Sequence, residues 1–154
     1  MTLRRPVTAR LLCGLVLVVL GYERAEAAHC TISTTSVSFG SYDVFASTHT
    51  DTTGTVSFTC TGNADVTITL SKGGSSTFNP RTLSGGADAL NYNLYKDAAR
   101  TTIWGDGTGS TATYTQVNVP NNSAQNLTIY GRIPAAQDVR AGTYSDSVTV
   151  TIDF

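Results

Sequence analysis

The stretch Thr55-Val-Ser-Phe-Thr-Cys60 alternates polar and apolar side chains, and Val66-Thr-Ile-Thr-Leu70 does the same shortly after it. In an extended chain, a period of two puts every apolar side chain on one face, which is typical of a strand that buries one side against a core. Gly62 and Asn63, which favour turns, lie between the two stretches. The pattern therefore predicts two strands, each with one apolar and one polar face.

The same alternation recurs along the rest of the chain. It predicts further strands at residues 90–94, 127–133 and 147–154. Turn signals separate the strands, at Gly73-Gly74, Asn79-Pro80, Gly85-Gly86, Asp106-Gly107 and Pro120-Asn121. A parallel sheet needs crossover helices, and the one helical candidate, residues 96–100, is a single turn at most. Short strands with polar outer faces therefore favour an antiparallel β-sandwich.

The first predicted strand changes its apolar face midway. Cys30 and Ile32 share one parity, whereas Val37 and Phe39 fall on the other. An extra residue that shifts the parity of a strand is characteristic of a bulge. We therefore expect this strand to bend or bulge near Thr35.

The composition of the chain also indicates a β-protein. Only 14% of the residues are charged and 40% are hydrophobic, with a formal net charge of -1. These values exclude the disordered, collagen-like and multi-span membrane classes, and the lack of a basic run argues against nucleic acid as a partner. After residue 27 there is no Met or Glu, and Lys72 and Lys96 are the only lysines. Because such straight-chain residues favour helices and the abundant Thr favours strands, we predict an all-β protein.

Residues 1–27 have the pattern of a secretory signal peptide. Three arginines precede the apolar residues 11–20, and Ala25-Glu26-Ala27 places small residues at the two positions that signal peptidase reads. A membrane anchor would need about 20 apolar residues, roughly twice the length of this stretch. We therefore predict cleavage between Ala27 and Ala28, export of the mature chain, no membrane span after cleavage, and one domain over residues 28–154.

Cleavage at that site removes Cys13 and leaves Cys30 and Cys60 as an even pair in an exported protein. Disulfides persist in oxidising compartments. A zinc site or a catalytic thiol would need partners at suitable spacing, but the chain has only His29 and His49 and no CxxC or HxxxH spacing. We therefore predict a disulfide between Cys30 and Cys60 and no metal site.

The sequence offers little for catalysis. His29 adjoins the predicted mature terminus and His49 lies in a Thr/Ser-rich loop, so neither has a setting for a hydrolytic triad. The stretch Asp106-Gly-Thr-Gly109 lacks the spaced acids of a calcium loop. Trp104 and several tyrosines leave two interpretations open, a platform for stacking sugars or packing in the core and its rim. We predict no enzymatic activity, no catalytic residues and no cofactor.

Longer motifs follow one another along the chain: Cys30-Thr-Ile-Ser, Val37-Ser-Phe-Gly-Ser-Tyr-Asp43, Leu90-Asn-Tyr-Asn-Leu-Tyr-Lys-Asp-Ala-Ala-Arg100, Trp104-Gly-Asp-Gly107, Tyr130-Gly-Arg-Ile-Pro-Ala-Ala-Gln137 and Ala141-Gly-Thr-Tyr-Ser-Asp-Ser-Val148. Together they resemble the spore coat protein U domain family, which includes the Csu-type fimbrial subunits. The resemblance extends from Cys30 to Phe154, with the motifs in the expected order.

The resemblance implies an immunoglobulin-like pilin fold that is assembled by the archaic chaperone-usher pathway. In that pathway an incomplete sandwich is capped by a periplasmic chaperone. An outer-membrane usher then passes it to another pilus subunit, whose N-terminal strand fills the gap by donor-strand complementation. The implied partners are therefore a periplasmic chaperone, an outer-membrane usher and other pilus subunits, and the implied location is a cell-surface fimbria.

An incomplete sandwich exposes an apolar groove edged by unpaired backbone N–H and C=O groups, which favours addition of a strand from another chain. The last predicted strand runs to Phe154, with no residue after it to cover its far edge. We therefore expect its apolar side chains to form a groove wall that contacts the chaperone or the donor strand: Val148, Val150, Ile152 and Phe154.

Donation of a strand is a different requirement. A donor segment needs about ten alternating residues ahead of the first core strand, but only Ala28 and His29 lie between the predicted cleavage site and Cys30. We therefore expect a fimbrial subunit that accepts a strand, donates none and occupies the fibre tip, where adhesion would be its task. Two alternatives stay open: a secreted spore or cell coat protein that associates laterally, and a self-complete, carbohydrate-binding sandwich.

Overall fold

The structure of the protein, a computed structural model, describes residues 27–154. The predicted signal peptide lies outside these residues except for Ala27, so the cleavage site stays a prediction. The described chain forms strands β1 (His29–Thr35), β2 (Thr50–Thr61), β3 (Ala64–Leu70), β4 (Arg81–Gly85), β5 (Asp88–Tyr95), β6 (Tyr114–Val119), β7 (Gln125–Ile133) and β8 (Val150–Asp153). Within this range the chain contains no helix of the length and apolarity that crossing a membrane would require.

The strands form two antiparallel sheets that share one core. The larger sheet has the order β1-β2-β7-β5-β4, and the smaller sheet has the order β6-β3-β8. Neighbours in each sheet are antiparallel throughout. The predicted all-β antiparallel sandwich is therefore confirmed.

The core lies between the inner faces of the two sheets. Val56 and Phe58 of β2, Ile68 of β3 and Ile129 of β7 are buried, whereas the alternate residues of these strands lie at the surface or its rim. Full burial of one such side chain contributes about 2 kcal/mol to the stability of the folded state. The strands that the alternation predicts at these residues are thus present, each with its apolar face inward.

The predicted disulfide is also present. Cys30 of β1 lies directly opposite Cys60 of β2, and their sulfur atoms are bonded. In the chain-entropy description, a bond that closes a loop of this length stabilises the fold by about 3 to 4 kcal/mol. It fixes β1, which lies at the edge of the larger sheet, to the strand beside it.

Two strands, β4 and β6, are not predicted by the sequence pattern. β4 begins with Arg81, a charged residue that is 0% exposed. Its guanidinium donates hydrogen bonds of 2.8 to 3.1 Å to the carbonyl oxygens of Ser71 and Trp104 and to Asn93 Oδ1. Burial lowers the pKa of Arg81, but these acceptors solvate the cation in place of water. A search for apolar alternation does not predict a strand whose inward position holds a charged residue.

The first strand ends where the sequence predicts a bend or bulge. β1 ends at Thr35, and residues 36–49 form no strand. Val37 and Phe39 nevertheless pack against the core, as their opposite parity requires. The chain therefore leaves the edge of the larger sheet after Thr35 and continues along the opening of the sandwich.

The last strand is shorter than the predicted residues 147–154. Ser71 N donates to Thr149 O at 2.9 Å, but Ser71 O accepts two hydrogen bonds from Arg81. Thr149 N therefore donates to Ser71 Oγ instead of the carbonyl oxygen. The ladder between β3 and β8 stops at this point, so that β8 covers only Val150–Asp153.

Candidate functional site

A groove opens beside β8, between two segments that we call its walls. The first wall is residues 36–45, which follow β1, and the second wall is residues 139–150, which lead into β8. The groove has a narrow part of about 290 Å³ and a wide part of about 820 Å³. Val37, Phe39 and Leu83 line both parts, so the two parts are adjacent.

The floor of the groove is apolar. The narrow part is lined by Val37 and Phe39 of the first wall and by Val148 and Val150 of the second. The floor is built from the inner faces of four strands, through Leu70, Leu83, Leu90, Leu94, Ile129 and Ile133. Such a lining favours apolar side chains in whatever occupies the groove.

The first wall is held to the larger sheet by close packing and by side-chain hydrogen bonds. Val37 packs on Gly54 and Gly131, where a Cβ atom would lie 2.7 Å from one of its methyl carbons. Thr52 Oγ1 donates to Ser38 O at 2.8 Å. Farther along, Tyr42 OH donates to the carbonyl oxygen of Pro134 at 3.0 Å and accepts from the backbone N–H of Gln137 at 2.9 Å. The apolar alternation does not predict this wall, although the parity change at Val37 indicates that the chain leaves the first strand there.

The second wall passes from one sheet to the other. Ser145 exchanges two backbone hydrogen bonds, of 2.9 and 3.1 Å, with Ser84 of β4 at the edge of the larger sheet. The Tyr144 ring lies against Gly85, where a Cβ atom would come within 2.5 Å of it. Five residues after Ser145 the chain has reached the smaller sheet, where Val150 pairs with Leu70. The second wall therefore crosses the opening of the sandwich.

The edge of β8 is open on the side of the groove. β8 lies at the end of the smaller sheet, and within the described residues it pairs with β3 alone. Because Thr149 directs its backbone oxygen toward Ser71, alternation along the strand turns the backbone groups of Val148, Val150 and Ile152 away from β3. These groups form a row of donors and acceptors available to a further strand.

Of the four residues expected to form a groove wall, only two line the groove. Val148, Val150 and Ile152 are half-buried and pack against the core. Val148 and Val150 line the groove, whereas Ile152 does not. Phe154 is 54% exposed and does not line it either. Contact of these residues with a chaperone or a donor strand stays a prediction.

The aromatic side chains do not form a platform around Trp104. Trp104 is only 1% exposed, and its indole N–H donates to the carbonyl oxygen of Ile68 at 3.1 Å. Tyr114 packs against the Trp104 ring from β6, and Tyr92 is buried in the floor of the groove. These residues belong to the core, so the packing interpretation holds for them and the sugar-stacking interpretation does not.

The outer face of the larger sheet carries an ion-pair cluster. Arg132 of β7 donates two hydrogen bonds to Asp51 of β2, at 2.7 and 2.8 Å, and Arg100 lies 3.3 Å from the same carboxylate. The hydrogen bond from Arg132 is the main cause that holds the pKa of Asp51 below its ordinary value, and burial partly opposes it. Across residues 27–154, the His, Cys and Asp side chains form no group of three that would hold a metal ion.

A sandwich of two antiparallel sheets, with an open edge on its last strand and an apolar groove along that edge, is typical of the pilin-type β-sandwiches. Residues 17–151 match the Spore Coat Protein U domain. The chain belongs to this family, as its motifs predict.

The chain is also similar to one curated protein and, in its fold, to one solved structure. Protein U of Myxococcus xanthus is 34% identical over 110 residues, which cover 66% of this chain and 59% of that protein. The fold is similar to that of one chain in the crystal structure of the CsuC-CsuE chaperone-tip adhesion subunit pre-assembly complex from archaic chaperone-usher Csu pili of Acinetobacter baumannii. The TM-score is 0.60 at 23% identity, and the match covers 83% of this chain and 40% of that one. The chain thus spans less than two thirds of the length of either protein.

Proposed function

We propose that the protein is a structural subunit of a cell-surface fimbria, assembled by a periplasmic chaperone and an outer-membrane usher, and that it has no enzymatic role. The observation that carries the proposal is the groove beside β8, which combines an apolar floor with an open row of backbone donors and acceptors. The likeness to a chain from a complex of chaperone and tip adhesion subunit supports it.

In the isolated chain, nothing among residues 27–154 pairs with the free edge of β8. An open strand edge above an apolar floor is a template for pairing with any extended chain, so such a subunit needs a partner that covers it. A strand that pairs with Val150 and inserts alternating apolar side chains between the walls would satisfy the edge and fill the narrow part of the groove. A chaperone strand during export, and a neighbouring subunit's strand in the fibre, are the proposed occupants.

We also propose that the protein accepts a strand without donating one. If the mature chain begins at Ala28, His29 is the only other residue ahead of Cys30. A donor strand of about ten residues spans roughly 33 Å, and the bond from Cys30 to Cys60 holds the chain that follows within the larger sheet. A subunit of this kind belongs at a fibre end, and we propose the tip, with adhesion as its role.

The test compares three versions of the mature protein. The first is residues 28–154, the second has a donor segment of about a dozen alternating apolar and polar residues ahead of Cys30, and the third carries that segment on a flexible linker after Phe154. A fourth version, with the order of residues in the linked segment scrambled so that the alternation is lost, is the matched control. Size-exclusion chromatography and thermal melting are the measurements.

We expect the unmodified chain to remain unpolymerised at any concentration and the N-terminally extended chain to self-assemble. The C-terminally complemented chain should be a monomer that melts higher than the unmodified and scrambled versions, because an intramolecular strand has a high effective concentration. Ordered fibres of the unmodified chain would rule out the acceptor-only role. An unmodified monomer that melts as high as the complemented one would indicate a self-complete sandwich and favour the carbohydrate-binding alternative.

A secreted coat protein that associates laterally is the second candidate, and the name of the family, Spore Coat Protein U domain, favours it. In this case the exported protein should assemble on a cell or spore surface in the absence of a chaperone and an usher. Deletion of the chaperone gene separates the two candidates, because a fimbrial subunit with an open groove should then be degraded in the periplasm, whereas a coat protein should accumulate normally.

A further inference from the structure

Tyr92 lies in the floor of the groove and contacts both of its walls. Its hydroxyl group donates a 2.6 Å hydrogen bond to Asp146 Oδ2 in the second wall. Its ring and the ring of Phe39 in the first wall meet edge to face, with 6.0 Å between the centroids. Tyr92 is buried, and burial together with the Asp146 hydrogen bond raises the pKa of Tyr92, so the hydroxyl keeps its proton. One side chain of β5 therefore joins the two walls.

Asp146 binds the loop after β3 as well as Tyr92. Its Oδ1 atom accepts hydrogen bonds of 2.8 Å from the backbone N–H groups of Gly74 and Ser147. The loop approaches so closely that a Cβ atom on Gly73 would collide with the carboxylate, and Gly73 has a φ of +66°. Asp146 also lines both the narrow and the wide part of the groove. The carboxylate is thus held from three sides at the junction of the two parts.

This position is where the second wall has least support from the sheets. Ser145 is paired with β4 and Val150 is paired with β3, but the residues between them belong to neither ladder. The Val148 backbone N–H donates no hydrogen bond within residues 27–154, and its C=O accepts none. Apart from the bonds between Thr149 and Ser71, the crossing residues depend on Asp146 for polar contacts with the rest of the fold.

We propose that the Tyr92–Asp146 hydrogen bond fixes the second wall relative to the first, and that Asp146 is a positioning residue for the strand that enters the groove. The proposal rests on the proposed function only in naming a strand as the occupant. Removal of the bond would leave Val148 and Val150 free to shift away from Val37 and Phe39. The groove would then have to be reordered each time a strand enters it, which slows uptake.

The test uses the mature protein with Tyr92→Phe, Asp146→Ala and the double change. The matched control is Tyr114→Phe, which also deletes a hydroxyl that donates a hydrogen bond, to Gln116 Oε1 at 2.7 Å, but at the opposite edge of the smaller sheet. The first measurement is amide hydrogen exchange of Gly74 and Ser147 by NMR in the empty protein. The second is the rate of binding of a fluorescent synthetic peptide of a dozen alternating Val and Thr residues.

A hydrogen bond to a charged group is strong enough that its loss should change these rates by about tenfold or more. We expect Tyr92→Phe to accelerate amide exchange at Gly74 and Ser147 about tenfold and to slow peptide binding by a similar factor. In Tyr114→Phe both rates should stay within about twofold of those of the wild type. Asp146→Ala should have at least the effect of Tyr92→Phe, and adding Tyr92→Phe to it should change little, because both remove the same bond.

Exchange rates and uptake in Tyr92→Phe that match those of Tyr114→Phe would overturn the proposal. So would additive effects in the double variant. If the wild-type protein binds no peptide at all, strand uptake as the function fails, but the exchange rates of the empty protein still decide whether Tyr92 positions the wall. The two failures are therefore distinguishable.

Discussion

Val37 lies directly over Gly131, so that a Cβ atom at position 131 would be 2.7 Å from Val37 Cγ1. The ring of Phe39 approaches the same point to 2.9 Å. Gly131 faces the core from β7, where the neighbouring inward positions hold Ile129 and Ile133. The larger sheet thus has a hollow at Gly131, and the first wall fills it. The position of this wall depends on the absence of a side chain at Gly131 and at Gly54, on which Val37 also packs.

Gly131→Ala should therefore push the first wall outward. We expect a loss of about 2 kcal/mol in the free energy of unfolding, as for other overpacked core sites, and slower uptake of the strand peptide. Gly142→Ala is the matched control, because its added Cβ atom would meet the nearest heavy atom at an ordinary 3.9 Å. Urea denaturation of both variants measures the difference. Equal free energies of unfolding for the two variants would show that the first wall can move outward without destabilising the fold.

Val150→Asp and Thr149→Asp place the same charge on adjacent residues of the second wall. Val150 is half-buried and packs against the core, whereas the Thr149 side chain is exposed. An unpaired carboxylate at Val150 would be partly desolvated, which we expect to cost about 2 to 3 kcal/mol, with less than about 0.5 kcal/mol for Thr149→Asp. Periplasmic yield and thermal melting measure both. Similar accumulation of the two variants would contradict the assignment of Val150 to the inner face.

The sequence predicts the strands whose inward positions are all apolar, such as β3 with Val66, Ile68 and Leu70. It does not predict β4, because the inward charge of Arg81 is acceptable only where Ser71 and Trp104 supply carbonyl oxygens from distant parts of the chain. Those partners exist only in the folded protein.

The groove was predictable only in part. The alternation of Val148 and Val150 indicates an apolar wall, and the parity change at Val37 indicates that the chain leaves the first strand. The path of the first wall depends on Gly131, and the floor contact depends on Tyr92 meeting Asp146, a residue 54 positions away. Neither pairing leaves a periodic signal, because each joins a strand of the larger sheet to a wall segment far away in the sequence.

Arg81→Lys should destabilise the protein although it keeps the charge. The planar guanidinium donates hydrogen bonds to Ser71, Trp104 and Asn93 at the same time. An ammonium group cannot reproduce this geometry, so at least one buried carbonyl oxygen loses its donor. We expect a loss of about 2 to 4 kcal/mol in the free energy of unfolding. Arg140→Lys is the control, because the Arg140 side chain is 81% exposed. A change at Arg81 no larger than that at Arg140 would show that the buried fork contributes little.

Asp51→Asn should reduce stability in a pH-dependent manner. Because the pKa of Asp51 is lower in the folded protein than its ordinary value of 3.8, its ionised form stabilises the fold above that pH. We expect the wild type to melt about 3 °C higher at pH 7. The difference should shrink as the pH falls below about 4 and be lost once the pH has fallen through the lowered pKa of Asp51. Melting curves between pH 2 and 7 measure it.

Asp153→Asn serves as the control for this series, because the Asp153 carboxylate makes no hydrogen bond or ion pair to any of residues 27–154. Its difference from the wild type should stay small at every pH. An Asp51→Asn difference that grows toward acid pH would show that the Arg132 pair does not stabilise the folded state.

The exported protein should begin at Ala28 and contain no free thiol. The predicted cleavage site motivates the first expectation, and the bond between Cys30 and Cys60 motivates the second. Intact mass after export, measured with alkylation before and after reduction, tests both. Retention of residues 1–27, or two alkylated cysteines without reductant, would contradict them.

The bond between Cys30 and Cys60 also determines how the fold responds to a pulling force. Tension applied at residue 28 reaches the edge strand β1 first, and after the pair His29 and Thr61 it meets a covalent link. The load then passes into β2, which has β1 on one side and β7 on the other. Peeling of β1 from the sheet, one hydrogen bond at a time, is blocked at its second residue, and the force is shared across the larger sheet.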